Sequence, residues 1–132
     1  MKRFLLALLL LLIGSSAFSQ TIRYRAHQYA VGFRDDYGSI EWGEWEDCNI
    51  VITIDFDNDF IKVYSKRTQN YVVVSSGEQY EDAYGGVNID MVAVDEEGIE
   101  CNMRLRIQDD GIAQLYSYYS DVAWVYSDLR KL

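Results

Sequence analysis

Apolar side chains at every second position, repeated from one end of the chain to the other, constrain this fold more than any other feature. The clearest run is Ile99, Cys101, Met103, Leu105 and Ile107, with Asn102, Arg104 and Arg106 outward. Successive side chains of a strand point to opposite faces, so such a run makes a strand with one buried face. The same period reads through residues 22–33, 48–56, 61–66, 71–75, 87–94, 112–119 and 122–128, with a short strand over 40–45. Turn sequences separate these runs: Asp35-Asp36-Tyr37-Gly38-Ser39, Asp57-Asn58-Asp59, Asp95-Glu96-Glu97-Gly98 and Asp109-Asp110-Gly111. Their Asp and Asn side chains bond their own backbone, and Gly supplies positive φ. The longest irregular stretch is 76–86. Consecutive hairpins predict an all-β, single-domain antiparallel meander of about eight strands. Such a meander loses its free edges by curling into a small, calycin-like barrel; a strongly curved sheet or a two-sheet sandwich is the alternative.

The start of the chain has a different character. Met1-Lys2-Arg3 is positive, residues 4–13 are unbroken apolar, and Gly14-Ser15-Ser16-Ala17-Phe18-Ser19 is a small-residue exit. This pattern predicts a secretory signal peptide over 1–19, cut before Gln20, with one β-domain over 20–132. The apolar run is shorter than the ~20 residues of a membrane-crossing helix, and nothing later is long enough, so no membrane span is expected after cleavage. The expected location is the periplasm or the cell exterior.

Charge and cysteines follow from that address. The whole chain carries a net charge of −9; losing Lys2 and Arg3 with the leader makes the remaining domain −11. Such a surface repels phosphate backbones, which argues against a nucleic-acid partner. It attracts cationic proteins, and it also simply keeps an exported protein soluble. Cys48 and Cys101 fall on inward faces. An oxidising compartment admits a disulfide between them, closing 53 residues and contributing roughly 4 kcal/mol. Two free, buried thiols are the other reading. No Cys-x-x-Cys is present.

The candidate ligand-binding residues are aromatic and basic. Glu41-Trp42-Gly43-Glu44-Trp45-Glu46-Asp47 sets two indoles among four acids. Indoles can stack on sugar rings while carboxylates accept sugar hydroxyls, or the pair can close an open end of the core. A spacing of three puts Trp42 and Trp45 on opposite strand faces, one toward the core and one toward the surface. In the last hairpin, Tyr116 and Tyr118 alternate with Leu115 and Ser117, and Trp124 and Tyr126 with Ala123 and Val125. Both faces carry apolar bodies, so the hairpin is either covered on both sides or presents an aromatic surface. Arg104 and Arg106, on the preceding strand, would border that surface. Asp55-Phe56-Asp57-Asn58-Asp59 begins like a calcium loop but has Phe60 and Lys66 where Gly and Glu belong, so a hairpin turn is expected and no metal. His27 is the single histidine, and no nucleophile triad or phosphate loop is readable.

The runs Trp42-x-x-Trp45, Ile50-x-Ile52-x-Ile54-Asp55, Ile61-x-Val63-Tyr64-Ser65, Gln69-x-Tyr71, Cys101-Asn102-Met103-Arg104-Leu105 and Trp124-Val125-Tyr126 resemble a group of small exported proteins of Gram-negative gut bacteria. The likeness covers most of the chain after the leader, and the Ser19-Gln20 junction is similar to export signals of that group. The resemblance implies an exported compartment and a β-meander, and no activity.

These observations predict an exported, non-enzymatic binding domain without a cofactor. Its ligand is an unidentified protein, a glycan or a small apolar molecule. One alternative is a calycin-like carrier holding an apolar ligand inside the barrel. Another is an acidic inhibitor of a cationic enzyme such as a lysozyme, resting on charge and compartment.

Overall fold

The computed structural model describes residues 21–132. The expected leader and Gln20 lie outside the described residues. Ten strands follow one another: β1 (Thr21–Arg34), β2 (Ile40–Trp42), β3 (Glu46–Asp55), β4 (Phe60–Tyr64), β5 (Thr68–Ser76), β6 (Tyr80–Glu81), β7 (Val87–Val94), β8 (Glu100–Ile107), β9 (Ala113–Tyr118) and β10 (Val122–Lys131). All pairings are antiparallel, and β10 returns to β1 from Tyr24↔Lys131 to Phe33↔Val122. Eight strands, β1, β3, β4, β5, β7, β8, β9 and β10, therefore close an up-and-down barrel. β2 pairs the far half of β1 beyond the reach of β3, and β6 pairs β7 beyond the end of β5. No helix of the described residues is long and apolar enough to cross a membrane.

The alternation places the core as the sequence predicts. Ile52 and Ile54 on β3, Ile61 and Val63 on β4, Met103 and Leu105 on β8, Leu115 on β9 and Leu129 on β10 fill the barrel, with Tyr24 of β1 among them. An eight-stranded barrel is just wide enough for its own side chains to fill it. Cys101 belongs to this core and Cys48 packs against it, half-buried; both thiols are free, so the disulfide admitted by the sequence is not formed.

Bulges help the sheet to close: β5 slips against β7 between Val73 and Ser75, and the two strands of the closing seam slip as well. β1 slips register against β3 between Ala26 and Gln28, and β10 slips against β9 between Tyr126 and Leu129. An extra residue bends a strand and increases its twist, and closing a sheet requires both. The two seam slips face each other: His27 Nδ1 lies 2.8 Å from the carbonyl oxygen of Asp128, and Asp128 has a φ of 52°. His27 is thus part of the seam between first and last strands. Beyond the slip the phase of β1 inverts, so Tyr29 packs on the core where simple alternation predicts Gln28.

Some expectations needed correction. Ile99 does not open the inward stripe of β8; it is 48 % exposed in the turn before it. β10 runs three residues past the expected end at Asp128. Asp55 caps its hairpin, accepting the N–H groups of Asp57 and Asn58 at 3.0 Å each, as a turn requires.

Candidate functional site

The outside of β7, β8 and β9 carries the most distinctive side chains. Register sets Arg104 beside Tyr116 and Asp90, and Arg106 beside Gln114 and Asn88. Because cross-strand partners share a face, the outward residues of these strands form one continuous patch. Tyr116 and Tyr118 lie two apart on β9, so both point outward. Their rings stack at 5.8 Å with only 2° between planes. Trp42 meets Tyr116 edge-on at 6.3 Å.

Trp42 reaches this face because of Gly32. The two are register partners, and a Cβ on Gly32 would lie 2.6 Å from Ile40 Cγ2 and 2.8 Å from the Trp42 ring. Only glycine lets the indole lie this close to β1. The small outward residues Ala30, Ala123 and Val125 are 2 %, 1 % and 3 % exposed, yet they stand apart from the interior core. The β10 half of the last hairpin is therefore buried on both faces at Ala123, Val125 and Tyr126, while Tyr116 and Tyr118 of β9 remain part of the outer surface.

The loop after β5 folds onto the same patch. Asp82 gathers it, accepting from Tyr84 N–H at 2.9 Å, Gly86 N–H at 3.0 Å, Asn88 Nδ2 at 3.0 Å and Arg106 Nε at 2.6 Å. The Arg106 guanidinium beside Asp82, helped by the Asn88 amide, holds its carboxyl well below the usual carboxylate range. Gly86 sits under that guanidinium, where a Cβ would lie 2.6 Å from Arg106 Nη2. On the neighbouring row, Arg104 Nε donates to Asp90 Oδ1 at 2.7 Å, and Tyr80 donates its hydroxyl to Asp90 Oδ2 at 3.1 Å. Burial raises the Tyr118 phenol while Arg104 pulls it back.

Two clefts result. One of about 440 Å³ lies among Tyr80, Tyr84, Asn88, Arg106, Tyr116 and Tyr118. The other, about 350 Å³, lies among Ser75, Gly77, Asp90, Asn102 and Met103. Both are bordered by Arg104 and Tyr118.

The predicted candidates thus separate into three groups. Trp42, Arg104, Arg106, Tyr116 and Tyr118 come together on this face. Trp124 and Tyr126 turn inward: Tyr126 is in the core, and Trp124 packs against it. Trp124 meets Tyr119 edge-on at 5.8 Å and borders a cleft of about 270 Å³ at one end of the barrel, beside Asp95 and Glu97. Trp45 is away from both places. Neither tryptophan of the acidic segment is core, since Trp42 is 40 % and Trp45 52 % exposed. Their opposite-face expectation assumed one unbroken strand, but β2 ends at Trp42.

Sequence reasoning missed Tyr80, Asp82, Tyr84 and Asp90. Asp82-Ala83-Tyr84-Gly85-Gly86 is readable as turn chemistry, but its position over Arg106 is not. The Asp82 pairing has a testable pH signature. A carboxyl whose folded pKa lies below its ordinary value of 3.8 contributes stability above that value, and the contribution disappears as pH falls toward the folded pKa. The Tm difference between the parent and Asp82→Asn is therefore expected to be largest at neutral pH and to shrink on acidification below about pH 4. A difference independent of pH would contradict the pairing.

Comparisons with family models, curated proteins and solved structures return no match to this chain.

Proposed function

We propose that this chain is an exported binding domain that engages its ligand with the outer face of β7, β8 and β9 rather than with the barrel interior. One arrangement carries the reading: two open clefts share Arg104 and Tyr118, beside the stacked Tyr116 and the Trp42 indole. Binding sites combine apolar and aromatic walls with a few oriented polar groups, and this face has both. The interior is occupied by Leu105, Leu115, Ile52 and their neighbours, which gives the carrier alternative no support.

The test is a protein-observed NMR screen against a fragment library of mixed chemistry. Hits are expected to perturb the amides of Arg104, Tyr116 and Tyr118, and Tyr118→Ala is expected to remove them. Hits that gather on Trp124, Tyr126 and Leu115, or that leave the outer face unperturbed, overturn the reading.

A further inference from the structure

The chemistry of this face narrows what it would bind. Resting on the reading just given, we infer that its ligand is a neutral oligosaccharide. Charge disfavours an ionic ligand. Each arginine of the clefts is already neutralised, Arg104 by Asp90 at 2.7 Å and Arg106 by Asp82 at 2.6 Å. An anionic ligand would gain little from guanidinium groups already paired with carboxylates, and it would approach a chain whose net charge is −9. A cationic ligand would have to displace a guanidinium.

The two arginines use their donors differently. Arg106 commits all three of its nitrogens: Nε and Nη2 serve Asp82, and Nη1 serves Gln114 at 3.3 Å. Arg104 commits only Nε, to Asp90, and its two Nη groups have no hydrogen-bond partner among the described residues. The guanidinium is a planar fork, and the Asp90 bond orients it. Arg104 with Asp90 thus presents donors and acceptor oxygens side by side. A sugar hydroxyl needs that combination, because each hydroxyl both donates and accepts.

The shape of the face suits a sugar ring as well. The parallel Tyr116 and Tyr118 rings, with Trp42 against them, offer apolar bodies with polar tips. The C–H face of a pyranose ring stacks on such surfaces. The clefts meet at Arg104 and Tyr118 and together run from β5 to β9. Three strand spacings of about 4.8 Å make that roughly 14 Å, long enough for more than one sugar ring. An apolar lipid would desolvate the Arg104–Asp90 pair and leave the two Arg104 Nη groups without acceptors. A peptide cannot add here as a strand, because β7, β8 and β9 are paired on both sides.

An array of neutral oligosaccharides (gluco-, manno-, galacto- and xylo-series) beside uronate and sulfated ones tests the inference, with calorimetry on the hits. At least one neutral series is expected to bind, with affinity unchanged between low and high salt. Tyr118→Ala is expected to weaken it roughly tenfold, Tyr118→Phe to retain most of it, and Arg104→Gln to weaken it by a similar factor. Unchanged Tm in these variants would exclude unfolding as the cause. Absence of any neutral hit, a preference for the charged glycans, or binding that survives both Tyr118→Ala and Arg104→Gln overturns the inference. Fragment hits on the face without a saccharide hit would overturn the ligand class alone and leave the binding face standing.

Discussion

A chain ending at Asp121 is expected to lose cooperative unfolding altogether. β10 is the strand that closes the barrel, paired to β9 on one side and to β1 on the other. Its removal deletes Tyr126 and Leu129 from the core and the buried Ala123 and Val125 from the opposite face. Burying large side chains such as Leu or Phe is worth about 1.5–3 kcal/mol each, against a total stability of about 5–15 kcal/mol for a domain. β1 and β9 would each lose one neighbour and be left as edges open to aggregation. An open meander would respond differently, since its last strand has one neighbour and its loss merely shortens the sheet. Thermal melts by near-ultraviolet circular dichroism distinguish the two. A truncated chain that melts cooperatively near the parent Tm would mean that the barrel is not closed through β10.

Leu105→Ala is expected to cost about 3 kcal/mol, within the 2–5 kcal/mol seen when a buried leucine is truncated and its site relaxes only partly. Leu105 is 0 % exposed and stands in register between Ile89 and Leu115. The measurement also bears on function. In a hollow, ligand-carrying barrel the side chain would already face a void, and its truncation would lose fewer contacts. Urea unfolding with an unchanged m-value and a midpoint shift below about 1 kcal/mol equivalent would indicate a hollow interior. The full loss would indicate a barrel filled by its own side chains, which leaves its outside to meet a ligand.

How far the fold was legible depended on the range of the interaction involved. Met103 and Leu105 could be placed inward from their spacing because the two-residue period is a property of neighbouring residues. The hairpin at Asp109-Asp110-Gly111 was legible for the same reason, with Gly111 at a φ of 89°. The bulges at Ala26/Gln28 and Tyr126/Leu129 were not, because a register slip answers to the strand opposite. That is why Tyr29 rather than Gln28 meets the core. Trp124 and Tyr126 were candidates for a binding face because both faces of their strand are apolar. Only the barrel decides that their face is the inner one.

The candidate site shows the same division. Arg104, Arg106, Tyr116 and Tyr118 could be assigned to one face from adjacent hairpin strands, without coordinates. Asp82 could not be assigned to Arg106, 24 residues later, nor Tyr80 to Asp90 across the cleft. Trp42 reaches Tyr116 from the far side of β10, across the seam that closure creates.

By itself, then, the sequence determined the all-β class, the number and order of the main strands and most of the buried stripe. Each of these follows from side-chain alternation and turn chemistry within a few residues. The tertiary structure alone decided that the sheet closes, which face of the last hairpin is inside, and that two ion pairs and three aromatic rings share one outer surface. Those outcomes depend on strand twist and bulges accumulated around the whole barrel, and no local run of residues encodes that sum.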